Sequence, residues 1–225
     1  MLEIVSAKRP LPPTYPSRDE ALHSEYVEWE TRAKDQLTIV VTDLGDAISY
    51  LDFSRIDPSL HDTLKNPTRL AQLLDENNCL LRVPIEDNAT IRGIALPATT
   101  YSVDPDGKKW VQIFVPGPSN PQTNEFFEEY YQKHPGTIIA GTSANRGGAG
   151  TITKKAQLEE YAREERIPPV LLANPDLETA QKSYSIVVLG IPGITIAREK
   201  DPENAANILQ AWQQIISPYA TETAH

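Results

Sequence analysis

The chain contains one cysteine, Cys79, which rules out an internal disulfide and a cysteine-based zinc cluster. Its four histidines, His23, His61, His134 and His225, include no pair at metal-ligand spacing, so no protein-bound metal is expected. No apolar run approaches the ~18 residues of a membrane span. The first residues, MLEIVSAKRPLPPTYPS, carry only a short apolar patch and do not read as a signal peptide. No membrane partner and a cytoplasmic location are therefore expected. Positive charge is also scarce: 21 Lys and Arg against 31 Asp and Glu give a net charge of −10, which disfavours RNA as a partner. What is present is ordinary globular material, 225 residues with 40% hydrophobic and 23% charged side chains, enough for a sizeable core.

Residues 1–36 differ from the rest. Leu11-Pro12-Pro13-Thr14-Tyr15-Pro16 suits an extended arm, since proline lacks an amide donor and fixes φ. Ser17 and Glu20 then stand at capping-box spacing before an amphipathic helix with Leu22, Tyr26 and Trp29. Residues 37–217 alternate between strand and helix signals, and 218–225 read as a flexible tail. LTIVVT, NCLLRVPI, KKWVQIFVP after a turn at Asp104-Pro105-Asp106-Gly107, TIIAGT, and YSIVVLGI and GITIAR, broken at Pro192-Gly193, are the strand candidates. Asp43, Asp57, Asn66, Asn120 and Asp201 precede the helix candidates, four of them directly before a proline, and the helix after Asp43 is expected to run through Ile48 and Leu51. Another helix is expected from about Lys154 to Arg166. Interleaved strands and helices predict an α/β fold, a twisted mixed sheet flanked by helices.

The stretch IAGTSANRGGAG, residues 139–150, concentrates the chemistry. A strand there runs into Ser143 and Asn145, whose hydroxyl and amide suit a ribose, a phosphate or a base edge. Gly147, Gly148 and Gly150 allow backbone amides to approach an anion closely. Arg146 follows, and Lys154 and Lys155 stand at a helix start, where the helix dipole disfavours cations unless an anion is bound.

PGTIIAGTSANRGGAG resembles the segment of the YrdC-like family of threonylcarbamoyl-adenylate synthases that ends a strand in T-S-A-N. LTIVVTDLGDAISYL, VQIFVPGPSN and SIVVLGIPGITIAREKDP are similar to further pieces of that family, in the family's order, so the likeness covers roughly residues 34–216. The resemblance implies a YrdC-like sheet with a concave site. It also implies ATP as substrate or ligand, with Mg2+ accompanying it, and L-threonine and bicarbonate as co-substrates. The product would be threonylcarbamoyl-AMP, for adenosine modification in tRNA; some family members also bind double-stranded RNA. Carried over by residue, Thr142, Ser143, Asn145, Ser185 and Arg198 would hold the nucleotide.

The sequence departs from the family at named positions. The N-terminal "P-T-x-T-V-Y-G-L" has no counterpart, and "K-x-R-P" has only approximate ones at Lys8 and Arg9 or at Arg32 and Lys34. These four are the candidates, with Arg146, Lys154 and Lys155, for contacts to phosphate. Gln112 stands where the family has the arginine of "V-R-x-P", and an amide cannot neutralise a carboxylate or phosphate. Three readings follow: a divergent synthase, a non-catalytic module binding a nucleotide, RNA or a protein, and a different small-molecule enzyme on the same scaffold. Elsewhere, Phe126, Phe127, Tyr130 and Tyr131 at helical spacing predict a core face. Arg82, inside an apolar strand, calls either for a partner or for a strand-edge position.

Overall fold

The computed structural model describes residues 36–117, 121–141, 184–198 and 202–216, together with helical positions 157, 160 and 163. The N-terminal arm and helix and the C-terminal tail lie outside them. A seven-stranded mixed sheet dominates. Its main path is β7 (Ala140–Gly141), β1 (Thr38–Val40), β6 (Lys109–Phe114), β2 (Cys79–Ile85), β8 (Ser185–Gly190) and β9 (Gly193–Arg198). β1 runs parallel to β6 and β8 parallel to β2, whereas β6 and β2 are antiparallel. The seventh strand, β5 (Tyr101–Val103), pairs with the Lys109–Val111 half of β6, leaving the Ile113–Phe114 half of the same edge to β1.

Two strands thus share one edge of β6 end to end, and their junction needs backbone partners. Leu37 donates its amide to the Thr99 carbonyl at 2.9 Å, and the Gln36 side-chain amide donates to the Trp110 carbonyl at 2.9 Å and to that of Thr100 at 3.2 Å. The side chain stands in for the strand that is interrupted there.

Alternation along each strand sends apolar side chains to both faces. On one face Ile39, Val41, Leu81, Val83, Val111, Ile113, Val187 and Leu189 meet four helices. These are α1 (Gly45–Ile48), α2 (His61–Leu64), α3 (Pro67–Glu76) and α5 (Pro202–Ile216). α3 forms as its sequence predicts: Pro67 takes the first position and Asn66 Oδ1 accepts from the Arg69 amide at 3.1 Å. Its Leu70, Leu73 and Leu74 are buried, as are Ile208 and Trp212 of α5. On the other face α4 (Pro121–Lys133) lays Phe126, Phe127, Tyr130 and Tyr131 against Val40, Leu80, Phe114 and Ile139. The aromatic stripe is a core face.

Two sequence expectations need correction, and one alternative left open by the sequence is decided. TIIAGT yields a strand of two residues and LTIVVT one of three, because each pairs over only part of its length. The helix after Asp43 stops at Ile48 instead of running through Leu51, which instead bridges to Ile85. Arg82 does not sit on an edge: β2 is bordered on both sides, Arg82 opposing Gln112 on β6 and Val188 on β8. Two elements had no sequence expectation, β5 and the hairpin of β3 (Thr90–Ile91) with β4 (Ile94–Ala95). The hairpin turns on Arg92 and Gly93, both with positive φ, the backbone of a two-residue primed turn.

Candidate functional site

The face that α4 covers is apolar only along part of its length. Moving along each strand by two residues keeps the same face, and in three neighbouring strands that step changes the chemistry. Val40 gives way to Thr38, Leu80 to Arg82, and Phe114 to Gln112 and then Trp110. Thr38, Arg82 and Gln112 form a row across β1, β6 and β2, with Ser102 of β5 at its side.

Contacts within the row are direct. Gln112 donates its side-chain amide to Thr38 Oγ1 at 2.5 Å, and Arg82 Nη2 donates to Ser102 Oγ at 3.0 Å. The Arg82 guanidinium carbon lies 5.9 Å from the centre of the Trp110 ring, and that of Arg55 lies 4.8 Å from it. Trp110 is fixed by its indole N–H, which donates to Asp104 Oδ2 at 3.1 Å, and by close packing of its ring edge on Gly190.

The two arginines differ in what neutralises them. Arg55 pairs with Asp104 at 3.1 Å, approaches Asp52 at 4.0 Å and donates to the Lys109 carbonyl at 3.3 Å. Arg82, among the described residues, has no carboxylate within ion-pair distance. Asp104 also accepts from the amides of Lys108 and Asp106, at 2.8 and 3.1 Å. The Lys108 amide, the Trp110 indole and the Arg55 charge hold its carboxyl below the usual aspartate range.

The strand that leads to Thr142-Ser143-Ala144-Asn145 ends beside this row. Gly141, its last residue, is the register partner of Thr38, and β7 runs antiparallel to β1. The last described residue of β7 therefore lies at the polar end of the face and not at the end under α4. Thr142, Ser143, Asn145, Arg146, Lys154 and Lys155 themselves lie outside the described residues, as do Lys8, Arg9, Arg32 and Lys34. Ser185 is described and is only 6% exposed; it opposes Cys79 at the far end of β2 from Ile85. Arg198 is known by its backbone alone, which pairs with Ile186. Ser185 and Arg198 are thus placed on the β8–β9 pair, away from β7.

Sequence reasoning had flagged Arg82 and Gln112 separately but missed Thr38 and Ser102. An arginine in an apolar run was the available signal; the pairing that joins it to three other strands was not. Among the described residues no group of three or more His, Cys, Asp or Glu is arranged to hold a metal ion, and no helix is long and apolar enough to cross a membrane. Cys79 is buried, and burial pushes its thiol up to about 12, leaving it protonated and inert at neutral pH. No family model, no curated protein and no solved structure matches the chain.

Proposed function

We propose that this chain is a YrdC-like protein that binds an adenine nucleotide at the end of β7, with Thr142, Ser143 and Asn145 as its contacts; Ser185 and Arg198, on the β8–β9 pair across the sheet, are not part of that site. The observation that carries the reading is the register of Gly141 against Thr38, which starts the T-S-A-N segment next to a row of hydrogen-bonding side chains. A segment able to hold a nucleoside and a floor able to hold its polar substituents then adjoin one another. ATP is the nucleotide of choice, with Mg2+ on its phosphates. The activity that fits the resemblance is formation of threonylcarbamoyl-AMP from ATP, L-threonine and bicarbonate, in the cytoplasm, for tRNA modification.

A second reading, a binding module without catalysis, is favoured by Gln112. It carries no charge where the family has an arginine, and its amide is already engaged with Thr38. The two readings separate on one titration. Calorimetry with ATP, with and without L-threonine, is expected to show binding that Asn145→Ala weakens. Enhancement by threonine, followed by pyrophosphate release, supports the synthase; binding without either supports the module. Absence of binding at millimolar nucleotide overturns both.

A further inference from the structure

We infer that Arg82, with the hydroxyls of Ser102 and Thr38, forms a subsite for a single oxyanion, a carboxylate or a phosphate group, on the half of the sheet face that α4 leaves uncovered. The subsite deepens the proposed nucleotide reading by naming the charged group held beside it, but its own residues lie on β1, β2 and β5.

The argument rests on the comparison of Arg82 with Arg55. Both are partly buried, both approach the Trp110 ring, and among the described residues only Arg55 has carboxylates around it. A guanidinium in the middle strand of a sheet, half removed from water, is unfavourable without a compensating negative charge. The other members of β2, on both faces, are apolar, so the strand itself does not call for an arginine there. One neutral hydroxyl and one aromatic ring at the edge of cation–π range do not make up the difference. The donor count points the same way. Guanidinium carries five N–H groups, of which one is directed at Ser102 Oγ. Ser102 accepts from Arg82, and Thr38 accepts from Gln112, so each hydroxyl has its own hydrogen left to donate. The row therefore offers donors in excess and a net positive charge, and a planar fork of N–H groups matches the two oxygens of a carboxylate or phosphate.

The test uses the full-length chain and two probes, inorganic phosphate and acetate, each titrated at constant ionic strength against chloride with the unfolding temperature as readout. Wild type is expected to show a saturable rise with at least one of them. The anion that acts identifies whether the group is a phosphate or a carboxylate. Arg82→Met is expected to weaken that response about tenfold or more, the loss of a charge-assisted contact, and Arg82→Lys to keep part of it. The lysine variant also guards against a methionine variant that fails to fold. A flat response to both anions in wild type, or an equal response in wild type and Arg82→Met, overturns the inference. Adenosine, which has no phosphate, separates this outcome from failure of the nucleotide reading. Loss of adenosine binding with an intact anion response defeats that reading and leaves the subsite standing.

Discussion

The same face of the same three strands does two different jobs. At one end Val40, Leu80 and Phe114 sit under the aromatic stripe of α4, and Phe126, Phe127, Tyr130 and Tyr131 are each at most 3% exposed. Two residues further along, Thr38, Arg82 and Gln112 replace them and are linked by side-chain hydrogen bonds or by register, with Trp110 and Ser102 alongside. The backbone is continuous through both. The difference teaches that a sheet face is not one surface: stability is concentrated where a helix covers it, and hydrogen-bonding capacity where polar groups are held in register by strands anchored under that helix.

The covered half should yield the largest effect. Phe126 has no exposed surface and packs edge-on to Phe127. Phe126→Ala is expected to destabilise the fold by about 3–5 kcal/mol in urea unfolding, from lost transfer energy and a cavity. If the two halves are independent, the folded fraction of this variant keeps the anion response of wild type. Loss of that response while folded would break the comparison, because the polar row would then depend on α4 and not on the strands alone.

Tyr131 sharpens the comparison, as a polar group in the apolar half with a structural task. Its hydroxyl donates to the Val40 carbonyl and accepts from the Ile139 amide at 3.3 Å, joining α4 to β1 and to the approach of β7. Tyr131→Phe leaves those two buried backbone groups unpaired and is expected to cost about 1–3 kcal/mol. Faster amide exchange at Ile139 checks the cause. Unchanged stability would mean that water reaches these groups and that the covered half is less closed than its burial indicates.

Much of this architecture was readable from the sequence, and the exceptions have physical reasons. α3, α4 and the β8–β9 hairpin were legible because their signals are local: a cap before proline, an apolar stripe at helical spacing, and a Pro-Gly break between two apolar runs. The turn at Asp104-Pro105-Asp106-Gly107 was legible too, and Gly107 takes the positive φ it suits. β5 and the β3–β4 hairpin were not, because two or three residues carry no periodicity. The candidate site divides in the same way. T-S-A-N stands out as a motif, whereas Thr38, Ser102 and Arg82 are 20 to 64 positions apart and become neighbours only through the register of β1, β5, β6 and β2. Arg82 looked anomalous for a sound reason, but only pairing shows that it is central and that Gln112 is its cross-strand neighbour.

The smallest expected effect lies in the polar half, at Asp104. Its Oδ1 holds the hairpin turn through the amides of Asp106 and Lys108, and its Oδ2 holds Trp110 and Arg55. Asparagine has one acceptor oxygen and keeps one of these pairs, not both. The group is solvated, so the loss is screened and modest. Its dependence on pH is the sharper signature. The folded carboxyl is held below the ordinary value of about 3.9, so its contribution is fully present above that value and is lost as pH falls through the folded one. Asp57 is also depressed, by the hydroxyl and amide of Ser59, and adds its own share to the acid limb of the stability curve. Subtracting the curve of Asp104→Asn from that of wild type removes the Asp57 share and isolates Asp104. The difference should be constant from neutral pH down to the usual aspartate range and vanish below it. A difference that persists in strong acid would assign Asp104 to turn geometry alone. Arg55 would then keep only the longer approach to Asp52, at 4.0 Å, and the contrast between the two arginines on which the anion inference rests would weaken.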